Sequence, residues 1–227
     1  MCLRVRGRFQ PVLIQPREIK AIFWDNDGVL VETEHLYFKA TQRILGSIGI
    51  SLTEDDYNEL FLVQGRGAWH LAEERGMAAD DIERLRDERN RLYADWLGEP
   101  PRLTSDIGRV LDALHGRYVM GVVTSSRKDH FDLIHRSSGL LKYFDFVLTA
   151  SDFTRLKPDP EPYLRAIEKS GVAPDACLAI EDSERGLISA KAAGIGCIVV
   201  PTKLTERGNF STADCVCGTI GEILDIL

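Results

Sequence analysis

Two carboxylates one residue apart, Asp25 and Asp27 in Asp25-Asn26-Asp27-Gly28, end the short apolar run Ala21–Trp24. Acids at the end of a buried run are costly unless a cation offsets them, and hard oxygen ligands with room left for a phosphate suit Mg²⁺. The Asp-Gly step turns the chain, aiming the two side chains differently around one point. Three further stretches carry matching chemistry. Thr124-Ser125-Ser126 offers hydroxyls and backbone amides that can hold phosphate oxygens. In Lys157-Pro158-Asp159-Pro160 two prolines fix the backbone around one ammonium group able to neutralise phosphate charge. Glu181-Asp182-Ser183 adds two adjacent acids that would complete an oxygen cage with Asp25. Each stretch alone also has an ordinary reading: an Asp-Gly turn, a helix N-cap, a Lys-Pro surface loop, a second N-cap. Coincidence does not readily supply their conjunction, because each follows a separate apolar run.

Those runs are Ala21–Trp24, Tyr118–Val123, Phe146–Leu148 and Cys177–Ile180, with a fifth at Cys197–Val200, and they read as buried parallel strands. Helical patterns at Ile107–Leu114, Phe131–Ser137, Pro160–Lys169 and Gly186–Ala193 alternate with them. The expected fold is α/β, a doubly wound parallel sheet, whose ligands bind at the carboxyl ends of the strands. From Leu36 to Leu103 the alternation stops and only amphipathic helical stretches appear: Leu36–Leu45, Glu54–Leu62, Ala68–Glu74 and Asp80–Leu97. Glycine-bearing turns punctuate them, Gly98-Glu99-Pro100-Pro101 last. The expected division is a core of residues 19–34 and 104–227, an inserted helical cap at 35–103, and an N-terminal extension at 1–18.

Composition narrows the partners. The chain has 227 residues, 44% hydrophobic and 28% charged, enough to bury a substantial core and too apolar for wholesale disorder. Its net charge of −7 opposes a nucleic-acid backbone, so no nucleic-acid partner is expected. The five cysteines, Cys2, Cys177, Cys197, Cys215 and Cys217, lack zinc-ligand spacing and read as reduced, mostly buried thiols. No apolar run approaches the roughly 18 residues a bilayer span needs, so no membrane partner is expected. Arg4, Arg6, Arg8 and Arg17 precede the first acid, Glu18, without the serine enrichment of a transit peptide, and the segment reads as a solvated tail. A cytoplasmic monomer or small homo-oligomer acting on a small phosphorylated metabolite is the expectation.

With these stretches in this order, the sequence resembles the haloacid dehalogenase superfamily. Its motifs fall at Asp25-x-Asp27-Gly28-Val29, Thr124, Lys157-Pro158 and Glu181-Asp182-Ser183, and the resemblance spans Ile19 to Val216. The insertion is similar to the family's first cap type, near beta-phosphoglucomutase and the phosphoglycolate phosphatase-like enzymes. The resemblance implies that Asp25 takes the phosphoryl group as an aspartyl-phosphate and that Asp27 is the general acid and base. It implies Mg²⁺ held by Asp25, the backbone carbonyl of Asp27 and Asp182, with Glu181 either a ligand or an acceptor behind them. It also implies that Thr124, Ser125 and Lys157 bind the transferring oxygens, Lys157 keeping Asp25 charged.

Asp27 argues against a carbon–halogen substrate, because halide leaves without a proton. The implied activity is Mg²⁺-dependent hydrolysis of a sugar phosphate or a phosphoglycolate-like acid. A phosphosugar mutase is the alternative, but Tyr37 stands where the mutase has its relay histidine, His35 lies two residues earlier, and Ala68 stands where it has a cap arginine, with Arg66 nearby. A binding or regulatory protein on the same fold would be expected to have lost some of the four motif positions, and none is lost. Three features depart from the family pattern or stand outside it. Arg102-Leu103-Thr104 replaces the usual Pro-Gly, Asn26 replaces a commonly apolar residue, and Trp69 with His70 is either a cap packing face or a specificity surface.

Overall fold

The computed structural model describes residues 18–97 and 102–227, together with the backbone of β1 (Leu3–Val5) and β2 (Arg8–Gln10), which pair antiparallel. The expectations for Cys2, for the side chains of Arg4, Arg6, Arg8 and Arg17, and for the turn at residues 98–101 lie outside the described residues.

Six strands form one parallel sheet: β3 (Ala21–Trp24), β4 (Val119–Val123), β5 (Phe146–Leu148), β6 (Cys177–Glu181), β7 (Gly196–Val199) and β8 (Cys215–Val216). Their order is β5-β4-β3-β6-β7-β8. The first of these in the chain is therefore central in the sheet, with Trp24 opposite both Val122 and Ile180. The chain winds one way from β3 to β5 and returns to β3's other side at β6, and such a reversal opens a crevice at the carboxyl edge. Both faces are covered. Ile22, Trp24, Met120 and Val122 pack into one core, while Ala21, Phe23, Val123 and Val199 pack into another. Alternate residues of one strand face different cores, which is why the strands read as continuous apolar runs.

Between β3 and β4 lie α1 (Glu34–Ser47), α2 (Glu54–Tyr57), α3 (His70–Glu73), α4 (Ala79–Leu97) and α5 (Ile107–Leu114). The first four enclose a third apolar cluster that includes Phe38, Leu45, Tyr57, Phe61 and Ile82. The helix expected over Glu54–Leu62 splits. Thr53 and Asp56 cap α2 reciprocally, and from Asn58 to Val63 the chain widens into a π-helical segment, with Gln64 N bonded to Glu59 O. The helix expected over Ala68–Glu74 shortens to α3, because the amides of Arg66 and Gly67 both turn back to Leu60 O. Where the family pattern has Pro-Gly, a short ladder joins the two crossings. Glu32 N bonds Arg102 O at 2.9 Å, Thr104 N bonds Leu30 O at 3.1 Å, and Val31 bridges Leu103 antiparallel.

The helices α6 (Lys128–His135), α7 (Glu161–Ser170) and α8 (Glu184–Ala192) complete the layers. Cys177, Cys197, Cys215 and Cys217 are buried, and the last two bring their sulfurs to 3.9 Å on one face, matching their alternation in sequence. Among the described residues no helix is long and apolar enough to cross a membrane.

Candidate active site

Asp25 leaves β3 at the centre of the carboxyl edge, and Lys157 reaches it from the loop after β5. The ammonium lies 2.7 Å from Asp25 Oδ1, 2.6 Å from Glu181 Oε1 and 2.8 Å from the carbonyl of Val123, with its side chain only 2% exposed. All three Lys157 donors are thereby used, which fixes the side chain in place. Glu181 Oε1 also accepts from Tyr163 at 2.5 Å. Burial alone would lower the Lys157 pKa, but Asp25 and Glu181 outweigh it and hold the ammonium above its ordinary value. Lys157 pulls Asp25 toward its charged form, and burial opposes it. Burial, together with the charges of Glu181 and Asp27, pushes Asp25 up to about 7 although Lys157 pulls the other way. One ammonium shared between two carboxylates does not offset the loss of water around both.

Asp182 follows on the other side of Asp25. Gly28 has φ +87, and a Cβ there would collide with the Asp182 carboxylate, so only glycine lets this acid lie against the turn. Burial first, and then the charges of Asp25 and Glu181, raises Asp182 well above its ordinary value. Ligand atoms of Asp25, Glu181 and Asp182 all fall within 4.8 Å of one another. The Asp27 carboxylate stays out of this cluster. It accepts from Thr33 Oγ1, from Ser126 Oγ and, at 3.2 Å, from Asn26 Nδ2.

The loop after β4 carries the hydroxyls expected of it. Thr124 N bonds Leu148 O, Thr124 Oγ1 accepts from Ser126 N at 3.0 Å, and the buried Ser125 Oγ has no protein partner among the described residues. A buried hydroxyl without a partner, on a cavity that an ammonium also lines, is a ready donor to an incoming oxyanion. Thr124, Ser125, Lys157, Asp25 and Asp27 all line one cavity of about 410 Å³, which the insertion closes from above. A Cβ on Gly65, in the turn before α3, would sit 2.8 Å from the Lys157 carbonyl, so this turn rests directly on the loop that delivers the ammonium.

Several residues of the site were not foreseen. Glu34, in the first turn of α1, lines the cavity and bonds the Tyr57 hydroxyl; burial raises its pKa against the pull of Arg185. Arg185 opens α8, and Glu34 and Asp25 hold its pKa up against burial. Arg66, Arg86 and Arg89 form the insertion's side of the cavity. Arg89 is 5% exposed, stacks at 4.3 Å on Tyr37, bonds Thr41 and Asn90, and has no carboxylate partner among the described residues. Trp69 serves both readings offered for it, packing in the insertion's core and lining the cavity. His70 instead meets Arg66 at 3.1 Å. His35 is exposed and absent from the lining, and Ala68 is buried away from it.

The donor set fits a hard divalent cation. Three buried carboxylates face one direct ammonium, and burial together with mutual repulsion raises the pKa values of Asp25 and Asp182. A doubly charged ion would remove that repulsion, and all the donors are oxygens, as Mg²⁺ prefers.

The family description haloacid dehalogenase-like hydrolase matches residues 22–200. A phosphorylated carbohydrates phosphatase of Thermotoga maritima is 32% identical over 182 residues, covering 78% of this chain and 82% of its own length. The fructose-1-phosphate phosphatase YqaB of Escherichia coli K12 is 29% identical over 185 residues, 79% of this chain and 95% of its own. The crystal structure of CbbY from Rhodobacter sphaeroides, a variant solved with xylulose 1,5-bisphosphate, is similar at a TM-score of 0.77 and 25% identity, over 90% of this chain and 96% of that one. With its four strand-end motifs gathered beneath one cavity and the family match running through all of them, the chain belongs to the haloacid dehalogenase-like hydrolases and is a phosphoric monoester hydrolase.

Proposed function

We propose that the enzyme hydrolyses a small phosphorylated metabolite, a sugar phosphate or a phosphoglycolate-like acid, in a Mg²⁺-dependent reaction that carries the phosphoryl group on Asp25. The observation behind this reading is the Lys157 ammonium fixed between Asp25 and Glu181 on the floor of a small cavity. An Asp25 oxygen attacks phosphorus, the bond to the leaving oxygen breaks, and Asp27 gives that oxygen a proton. Asp27 then takes a proton from water, the water oxygen attacks the aspartyl-phosphate, and inorganic phosphate leaves with Asp25 regenerated. Thr124, Ser125 and Lys157 hold the transferring oxygens, whose charge is spread widest midway through each transfer. Asp25, Asp182 and the Asp27 carbonyl would hold Mg²⁺, with Glu181 anchoring Lys157 behind them; the bound ion supplies further charge neutralisation at phosphorus. Residues 35–103 act as the cap over a core of 19–34 and 104–227.

A cavity of about 410 Å³ suits a metabolite better than a phosphoprotein. Its arginine-bearing wall favours a leaving group that is polar or itself acidic. The relatives named above point the same way, being phosphatases of phosphorylated carbohydrates. The test is phosphate release from a panel of sugar phosphates and phosphoglycolate, with Mg²⁺ and with chelator. Release from several sugar phosphates or from phosphoglycolate, only with the metal, is expected. No release from any member, or full activity after exhaustive chelation, refutes the reading.

A further inference from the structure

Asn26 stands between the two acids with no exposed surface, where a hydrocarbon would serve if the position only packed. Burying an amide without partners costs about 1–3 kcal/mol, and both ends of this one are used. Its Oδ1 lies 2.7 Å from Nε2 of His135, and its Nδ2 donates to Asp27 Oδ2 at 3.2 Å. His135, the last residue of α6, is buried too, with Nδ1 2.9 Å from Ser138 Oγ. That hydroxyl accepts from Leu140 N, and its own proton has the imidazole at 2.9 Å as a nearer acceptor than the His135 carbonyl at 3.5 Å.

While Asp27 is ionised, one proton arrangement satisfies every member. Ser138 donates to Nδ1, Nε2–H donates to Asn26 Oδ1, and Asn26 Nδ2–H donates to Asp27. The imidazole is neutral in this arrangement, as its burial requires, since burial draws the His135 pKa down to about 4. Turning the amide over would set its NH₂ against Nε2–H and its oxygen against a carboxylate. The histidine therefore decides which end of Asn26 meets Asp27.

We propose that Asn26 and His135 are positioning residues for Asp27, holding its carboxyl group so that its one unoccupied oxygen position, the one that carries the proton it delivers, stays turned toward the leaving oxygen. This rests on the reading of Asp27 as the acid and base. A carboxylate offers about four acceptor directions; Thr33, Ser126 and Asn26 occupy three, and Asp27 lines the cavity with the remainder. Without Asn26, Oδ2 is held by Ser126 alone, on the loop that receives the phosphate. In the step so positioned, the Asp25–phosphorus bond forms, the phosphorus–oxygen bond to the leaving group breaks, and the Asp27 proton goes to that oxygen.

The test compares kcat/KM for two substrates: the fastest sugar phosphate of the panel, whose alkoxide needs the proton, and p-nitrophenyl phosphate, whose phenolate leaves without it. Asp27→Asn calibrates the assay by losing far more on the sugar phosphate. Asn26→Leu and His135→Phe should each lose about tenfold on the sugar phosphate, part of the general-acid contribution, and less than about twofold on p-nitrophenyl phosphate. The double variant should be no worse than either single change, as for residues acting as one unit. It also replaces both polar partners by hydrocarbon of similar size, so it carries the test if a single change melts early by leaving a buried orphan. Equal losses on both substrates, or no loss on either, overturn the proposal. If Asp27→Asn itself shows no difference between the substrates, the assignment of Asp27 fails, and this proposal falls with it.

Discussion

Adding Mg²⁺ to chelator-stripped protein should raise its melting temperature, by an amount that follows from the charge imbalance around Asp25. Three carboxylates lie within 4.8 Å of one another by their ligand atoms, and Lys157 is the ammonium paired directly with two of them. Burial and mutual repulsion raise Asp25 from an ordinary value of 3.8 to about 7 and Asp182 well above 3.8. A carboxyl group whose folded value exceeds its unfolded one takes up a proton on folding, so its contribution is fully present below 3.8 and is lost as pH rises through about 7. This pair should therefore make the metal-free protein less stable between those values, opposing the usual stabilisation of carboxylate proteins in that window. A cation that takes the place of the protons removes the loss. At a hundredfold excess over its Kd, a ligand bound only by the native state contributes about 2.7 kcal/mol. In a chain of this size each kcal/mol moves Tm by about 2–4 °C, which gives a rise of about 5–11 °C at neutral pH. In mildly acidic buffer, where protons already neutralise the pair, the rise should be smaller. Scanning calorimetry with and without millimolar Mg²⁺ at the two pH values measures both effects, and Asp182→Asn should remove most of the rise. An unchanged Tm at neutral pH, or the same rise in Asp182→Asn, would refute the reasoning.

Lys157→Met leaves Asp25 and Glu181 buried without their shared cation, and breaking such a pair from one side costs about 3–5 kcal/mol. Urea denaturation should show that loss, with part of it recovered in Lys157→Met/Glu181→Gln; a single-variant loss under about 1 kcal/mol would count against the charge balance drawn here. Asp25→Asn should keep the fold by circular dichroism and lose two decades or more of phosphate release, since an amide does not attack phosphorus. Residual turnover above about one per cent in that variant would remove the nucleophile assignment. Incubation with β-glucose 1-phosphate, a trace of the 1,6-bisphosphate and Mg²⁺ should give slow phosphate release and little glucose 6-phosphate, because Tyr37 and not a histidine lines the cavity at the relay position and His35 is not in the lining; isomerisation faster than hydrolysis would favour the mutase.

The chemistry at the strand ends was legible because parallel strands buried on both faces are unbroken apolar runs, so the first polar residue after each one marks the carboxyl edge of the sheet. Asp25, Thr124 and Glu181 declare themselves in this way, and the topology brings them together on either side of β3 with Lys157, which lies farther along the loop after β5. The insertion was legible as helical but not in its boundaries. The switch to π geometry at Asn58 and the late start of α3 depend on where carbonyls such as Glu59 O and Leu60 O find donors, which residue type does not reveal. Asn26 was visible as an oddity without a role, since its partner His135 lies 109 residues away in sequence.

Arg89 shows where more could have been read. The helix α4 is dense in Asp, Glu and Arg, and by charge alone Arg84, Arg86, Arg89 and Arg91 are interchangeable. By position they are not, because its buried residues are Ile82, Arg89, Tyr93 and Leu97, one stripe at helical spacing. An arginine on an apolar stripe must be paired, must snorkel, or must face a polar cavity. Arg89 has no carboxylate partner among the described residues and is too buried to snorkel, so the cavity is what remains. The same periodicity that predicts a core position thus marks a charged residue there as belonging to the binding site, provided that no acid occupies the facing helix. On α1 the facing groups are Tyr37 and Thr41, both neutral, and the guanidinium beside them lines the cavity.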